Sequence, residues 1–318
     1  MTERIEFLTV EIGSTITKVN GFKAGQDGSF FPLAQGFAPT SITEGDVRVG
    51  YESALAELKN TGIPLSPDVR IYVNSSAAGG LRMTVHGLTY NMTARAAREA
   101  ALGAGAIVKM VTAGLLDDYA LAEIQKINPN IILLSGGVDF GEKDIVLRNS
   151  RALASLKINA PVVYAGNSAI RSQVAEIFAQ YNIEFLIAEN VFPEVDVLNT
   201  IPLRKVIHEI FNKHIIHAPG MEYLSQLTKG EIIPTPGAVL LGAELFAQAC
   251  GDCLVFDVGG ATTDVHSVTN GSSEWTSKQL EPEPYAKRTV EGDLGVYINA
   301  QNIYELNQNV SSKEELSK

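Results

Sequence analysis

From Ile5 to Phe37 apolar and polar residues alternate in the two-residue period of strands. Ile5–Glu11 and Ile16–Phe22 form two runs joined by Gly13-Ser14-Thr15, and Gly25–Gly28 breaks the pattern before Phe30–Phe37. That spacing predicts a three-stranded meander with small-residue turns. The period then becomes helical from Asp46 to Asn60, with Val49, Ala54, Leu55 and Leu58 on one stripe. Pro64 and Pro67 close this helix ahead of a short strand at Val69–Val73.

From Thr93 to Asn190 the pattern is different. Strand-like runs at Ile131–Leu134, Val162–Tyr164 and Phe185–Ile187 alternate with helical stretches near Ala120–Gln125, Asp144–Leu156 and Ser168–Tyr181. Such alternation predicts βαβ units on a parallel sheet, with ligands at the small-residue loops that end the strands, Ser135-Gly136-Gly137 and Ala165-Gly166-Asn167. Thr200–Gln248 reads as mostly helical, broken at Pro219-Gly220 and Pro234-Thr235-Pro236-Gly237. A second meander follows: Leu254–Val258, a Gly259-Gly260 turn, Thr262–Val268 and a turn at Asn270-Gly271.

The chain has 318 residues, 45% of them hydrophobic and 19% charged. At about 150 residues per domain, that composition suits roughly two globular domains and excludes disorder. A formal net charge of −11 argues against nucleic-acid or anionic-membrane partners. The first residues show no basic leader, and the longest apolar runs are broken by Lys109 and Glu244, which predicts neither a signal peptide nor a membrane span. Cys250 and Cys253 are the only cysteines. A cytoplasmic protein is the expectation.

The two meanders carry the candidate chemistry. In the first, Glu11 ends a strand, Gly13, Ser14 and Thr15 make the turn, and Thr17 and Lys18 open the returning strand. In the second, Asp257 ends a strand, Gly259 and Gly260 make the turn, and Thr262, Thr263 and Asp264 follow. Glycines let backbone N–H groups approach a phosphate, hydroxyls add donors, and a strand-end carboxylate can hold Mg²⁺ through water. Two such hairpins face to face would clamp a nucleotide's terminal phosphates. Competing phosphate motifs, the P-loop and the dinucleotide fingerprint, are missing.

Duplicated hairpins of this kind resemble the actin, sugar-kinase and heat-shock-chaperone superfamily of ATP-binding proteins. Within it the chain is similar to the accessory proteins of glutamate mutase. The segments that carry the likeness include Ser75-Ser76-Ala77-Ala78-Gly79-Gly80, Ile131–Gly137, Pro234–Val239, Gly259–Val268 and Tyr285–Gly295. The resemblance implies an actin-like (ribonuclease H-like) ATPase fold that takes ATP and Mg²⁺ and reactivates or chaperones an adenosylcobalamin-dependent mutase, its subunits being the partner. It implies that Glu11 and Asp257 are catalytic, that Glu11, Asp257 and Asp264 organise the metal, and that Gly13, Ser14, Thr15, Thr17, Gly259, Gly260, Thr262 and Thr263 hold phosphate. Two departures stand out. The superfamily usually has Asp where this chain has Glu11, and the family's Gly-Gly-Thr-Asp-Gly-Gly loop appears here as Gly136-Gly137-Val138-Asp139-Phe140-Gly141.

The expected layout is a first lobe over 1–92, a parallel α/β insert over 93–195, a mainly helical connector over 196–253 and the start of a second lobe over 254–318. Only 61 residues follow Asp257, and Ser312 to Glu315 fits a capping box at a helix start. That second lobe therefore reads as incomplete, with ATP bound only weakly and hydrolysed little. Rival readings are a small-molecule kinase or ATP-dependent amidohydrolase built on the same hairpins, and a non-catalytic actin-like scaffold. Cys250 and Cys253 lack the second pair a zinc site needs. His208, His214 and His217 fit a solvated helix, and Lys287-Arg288 with Glu291 and Asp293 fits a surface charge cluster or a partner-facing segment.

Overall fold

Strand β1 (Ile5–Ile12) is apolar at nearly every second position, and both of its faces are covered. It pairs antiparallel with β2 (Ile16–Ala24), which pairs antiparallel with β3 (Phe30–Pro39). The computed structural model describes residues 3–76, 81–156, 158–215, 218–279 and 282–315. Helix α1 (Val47–Lys59) starts at Asp46, whose carboxylate accepts from the Arg48 N–H at 2.9 Å. It buries Val47, Tyr51, Ala54 and Leu58 against the meander. Strand β4 (Leu65–Ser75) runs parallel to β1 and is longer at both ends than its apolar centre predicts.

Strand β5 (Arg82–Gly87) leaves this sheet and becomes part of a second, all-parallel one. The unit expected to begin at 93 therefore begins at 82. Helix α2 (Arg95–Gly103) leads to β6 (Ile107–Ala113), followed by α3 (Asp118–Ile127), β7 (Ile131–Leu134), α4 (Asp144–Ser155), β8 (Val162–Tyr164), α5 (Arg171–Gln180) and β9 (Phe185–Ile187). The strand order is β6-β5-β7-β8-β9. Every pair is parallel, so all the connecting loops that follow the strands lie on one edge.

Helices α6 (Thr200–Ile215) and α7 (Met221–Leu227) return the chain to the first sheet, where β10 (Ile233–Pro234) pairs parallel with β4. That sheet reads β10-β4-β1-β2-β3, with the insert and both helices lying between β4 and β10 in sequence. Helix α8 (Thr235–Cys250) then feeds β11 (Cys253–Val258) and β12 (Thr263–Val268). A short helix α9 (Ser273–Thr276) precedes β13 (Ala286–Glu291), and α10 (Ala300–Glu315) follows. Ser312 thus lies inside α10 and does not cap its start, because the helix begins twelve residues earlier at Ala300.

The third sheet, β11-β12-β13, is antiparallel and covered on one face only. Leu240, Ala243 and Ala247 of α8 pack with Val268 and Ala286. On its other face Leu254, Phe256 and Val258 are 62%, 63% and 52% exposed along the edge strand β11. A single core joins the first sheet, α6 and the inner strands of the insert, and a separate cluster fills the far side of the insert. No helix among the described residues is long and apolar enough to cross a membrane.

Candidate functional site

The two meander turns close in the same way. The Gly13 N–H donates to the Ile16 carbonyl at 3.0 Å, and the Gly259 N–H donates to the Thr262 carbonyl at 2.9 Å. In each, a carboxylate stands two residues ahead of the glycine, Glu11 in one and Asp257 in the other. The turns meet at their tips: a Cβ on Gly260 would stand 2.4 Å from Thr15 Oγ1, so only glycine lets the hairpins touch there. Gly13 is equally constrained, since its Cβ would lie 2.6 Å from the Ile16 carbonyl oxygen.

Behind this contact opens a cleft of about 1340 Å³, larger than the several hundred Å³ usual for small-molecule sites. Glu11, Gly13, Ser14 and Thr15 line one wall, and Asp257, Gly259, Gly260 and Thr262 line the other. The ends of β4 and β10 supply Ser75, Ser76 and Thr235, with Thr235 Oγ1 donating to Asn74 Oδ1 at 2.8 Å. Ala77 to Gly80, the rest of the small-residue motif, lie outside the described residues. Lys18 stands opposite Glu11 in the strand register, and its Nζ reaches Glu11 Oε2 at 3.1 Å.

Three expected contacts fall elsewhere. Thr17 is fully buried and its hydroxyl meets that of Thr40 at 3.0 Å. Alternation along β2 explains this, because Lys18 faces the cleft and its neighbour must face the core. Thr263 points to the uncovered face of its sheet and donates to the Leu294 carbonyl. Asp264 reaches the cleft wall, but its carboxylate is buried in a pair with Arg288, at 2.8 Å to Nε and 2.7 Å to Nη2. Burial pushes the Asp264 carboxyl above its usual range in spite of the guanidinium beside it. A carboxylate so engaged is poorly placed to hold a metal.

Arg288, read from sequence as part of a charge cluster, is a buried junction. Its Nη1 donates to the carbonyls of Leu102 at 3.2 Å and Ala106 at 3.4 Å, where helix α2 ends. Leu102 is in the last turn of α2 and Ala106 lies just beyond it, and a cation there favours the negative end of the helix dipole. Toward the other end of α2, Arg95 pairs with Glu283, just before β13. Arg204 of α6 donates to the Ala286 carbonyl at 2.5 Å and pairs with Glu244 of α8 at 3.3 Å. Helix α2 of the insert is thus clasped by the strand that borders the cleft.

The remaining candidates separate clearly. His208 is part-buried beside Gly237 and its pKa is lowered by burial; His217 lies outside the described residues. Cys250 is exposed and Cys253 half-buried, both as free thiols. Among the described residues no group of three His, Cys, Asp or Glu side chains is placed to hold a metal without further ligands.

A family model described as MutL protein matches residues 7–318. The chain is 40% identical over 312 residues to Protein MutL of Clostridium tetanomorphum, a match that takes in 94% of this chain and 66% of that one. It therefore spans less than two thirds of that relative's length. Two solved structures also match, a glycerol dehydratase reactivase and a diol dehydratase-reactivating factor in nucleotide-free form. They share 12% and 11% identity over 90% and 91% of this chain and 42% of each of theirs. Both superpose with a TM-score of 0.20, too low to bear on fold or function.

Proposed function

The chain belongs to the MutL family of glutamate mutase accessory proteins, and from that premise we propose that it binds ATP with Mg²⁺ between its two hairpins and serves to reactivate an adenosylcobalamin-dependent mutase. The fold we assign it is actin-like: one lobe on the β10-β4-β1-β2-β3 sheet, a parallel insert, and the beginning of a second lobe on β11-β12-β13. The observation that supports this most is the pairing of the turns, two glycine hairpins of matching hydrogen bonding and matching carboxylates that touch across one cleft.

The donor set suits a magnesium nucleotide. Mg²⁺ prefers oxygen ligands and keeps several waters, so Glu11 and Asp257 would hold it from opposite walls through that shell. The backbone and hydroxyls of Gly13 to Thr15 and Gly259 to Thr262 would bind phosphate oxygens. Lys18, paired with Glu11 at 3.1 Å, would exchange that partner for phosphate as Glu11 turns to the metal. Bound Mg²⁺ supplies charge neutralisation at the phosphoryl oxygens. Closure of the lobes would pull on α2 through Arg288 and so move the insert, coupling the cleft to a partner.

Saturation-transfer NMR with ATP, suited to weak binding, tests the site. The adenosine protons should receive saturation, more strongly with Mg²⁺ than without. Asp257→Asn should remove the magnesium dependence while leaving the protein folded. A signal that is the same in that variant, or absent from the unaltered chain, would rule the nucleotide reading out.

A further inference from the structure

The loops that follow the parallel strands of the insert share one edge, and Phe140 stands out among them. Its φ is +62°, in the left-handed region that side-chain-bearing residues other than Asn and Asp seldom adopt. Such strain persists only where the surroundings dictate the backbone. Here they do. Buried Asn167 accepts from the Phe140 N–H at 3.0 Å, and its amide donates to the carbonyls of Gly141 at 3.3 Å and Glu142 at 3.0 Å. Asp139 accepts from the Ser168 N–H at 2.7 Å and from Asn190 at 2.9 Å, and its own N–H donates to the Pro193 carbonyl at 2.9 Å. Three strand ends therefore lock one loop. The residue they hold in place, Phe140, is 80% exposed.

A rigid frame that strains its backbone to keep an aromatic ring in water stabilises nothing within this chain. Exposed aromatic residues held in fixed positions are typical anchors of protein interfaces. Val195 and Val197 are exposed in the loop after β9, Leu115 in the loop after β6 and Tyr119 in the first turn of α3. The same edge is acidic: Asp117, Asp118, Glu189, Glu194 and Asp196 are exposed there, against Lys143. Apolar tips set among carboxylates complement a surface with an apolar pocket ringed by lysine and arginine.

We propose that this edge is the docking face for the mutase, with Phe140 seated in an apolar pocket on that enzyme whose rim is basic. The inference rests on the mutase reading above and names the surface that reading leaves open. The test uses purified glutamate mutase on a biosensor and this chain in solution. Phe140→Gly removes the ring and also relieves the positive φ, so its melting temperature should hold or rise while its affinity falls at least tenfold. Glu194→Lys with Asp196→Lys should slow association and flatten its dependence on salt. Binding by Phe140→Gly within twofold of the unaltered chain would overturn the anchor while leaving the mutase reading intact. No binding by the unaltered chain would overturn both.

Discussion

His86 sits fully buried in β5 with both ring nitrogens engaged, Nδ1 by Thr112 Oγ1 at 2.7 Å and Nε2 by Thr84 Oγ1 at 3.0 Å. Burial lowers its pKa to about 3, whereas an unfolded histidine titrates near 6.5. Between those values only the unfolded chain takes up the proton. The stabilisation from neutral His86 is thus complete above pH 6.5 and lost as pH falls toward 3, at about 1.4 kcal/mol per unit. From pH 7 to pH 5 the unaltered chain should lose about 2 kcal/mol more than His86→Asn by urea denaturation; equal losses would refute the assignment. Other single residues show where sequence reading stops. The hairpin turns at Gly13 and Gly259, each two residues after a strand carboxylate, Glu11 or Asp257, are legible because turn chemistry marks them. Thr17 and Thr263 have the hydroxyls a phosphate site would use, but strand alternation turns each away from the cleft.

Among elements, α1 was the most legible: the predicted span Asp46–Asn60 differs from Val47–Lys59 only by its two caps. Strands β5 and β6 went unpredicted. In β5 the inward side chains include Thr84 and His86, which satisfy one another's hydrogen bonds and so survive burial without an apolar signature. In β6 Lys109 interrupts the run at an exposed position. The packing of β3 on α1 depends on one glycine. A Cβ at Gly36 would stand 2.0 Å from the Ala54 carbonyl oxygen and 2.6 Å from the Leu58 nitrogen, both in helix backbone. Neither can yield without shifting α1. Gly36→Ala should therefore destabilise the first sheet by about 3 kcal/mol, the upper range for overpacking. Calorimetric melting would read this; a change under about 1 kcal/mol would show that the helix slides freely.

For the whole molecule the decisive residue is Arg288, which ties β12, β13 and the end of α2 together. Its partner Asp264 is almost fully buried, and removing one member of such a pair leaves an uncompensated charge. Arg288→Met should lower stability by about 3 to 5 kcal/mol in urea denaturation, and adding Asp264→Asn should recover part of that loss. Additive losses would mean that the two residues act separately. The three-sheet plan was partly visible in the sequence, in the repeated meander and the βαβ spacing. This junction was not, because one arginine inside a run of mixed charge looks like any solvated residue until a helix end is found above it.

The free edge of β11 has a colloidal consequence. Leu254, Phe256 and Val258 present an apolar row on a strand that is at the edge of its sheet among the described residues, a template onto which a second molecule can add a strand. A formal charge of −11 keeps copies apart while their fields overlap. At about 0.1 M salt those fields reach only about 10 Å, and the row is then left to drive contact. Concentrated solutions of this chain should accordingly turn turbid as salt is added and clear on dilution into low-salt buffer.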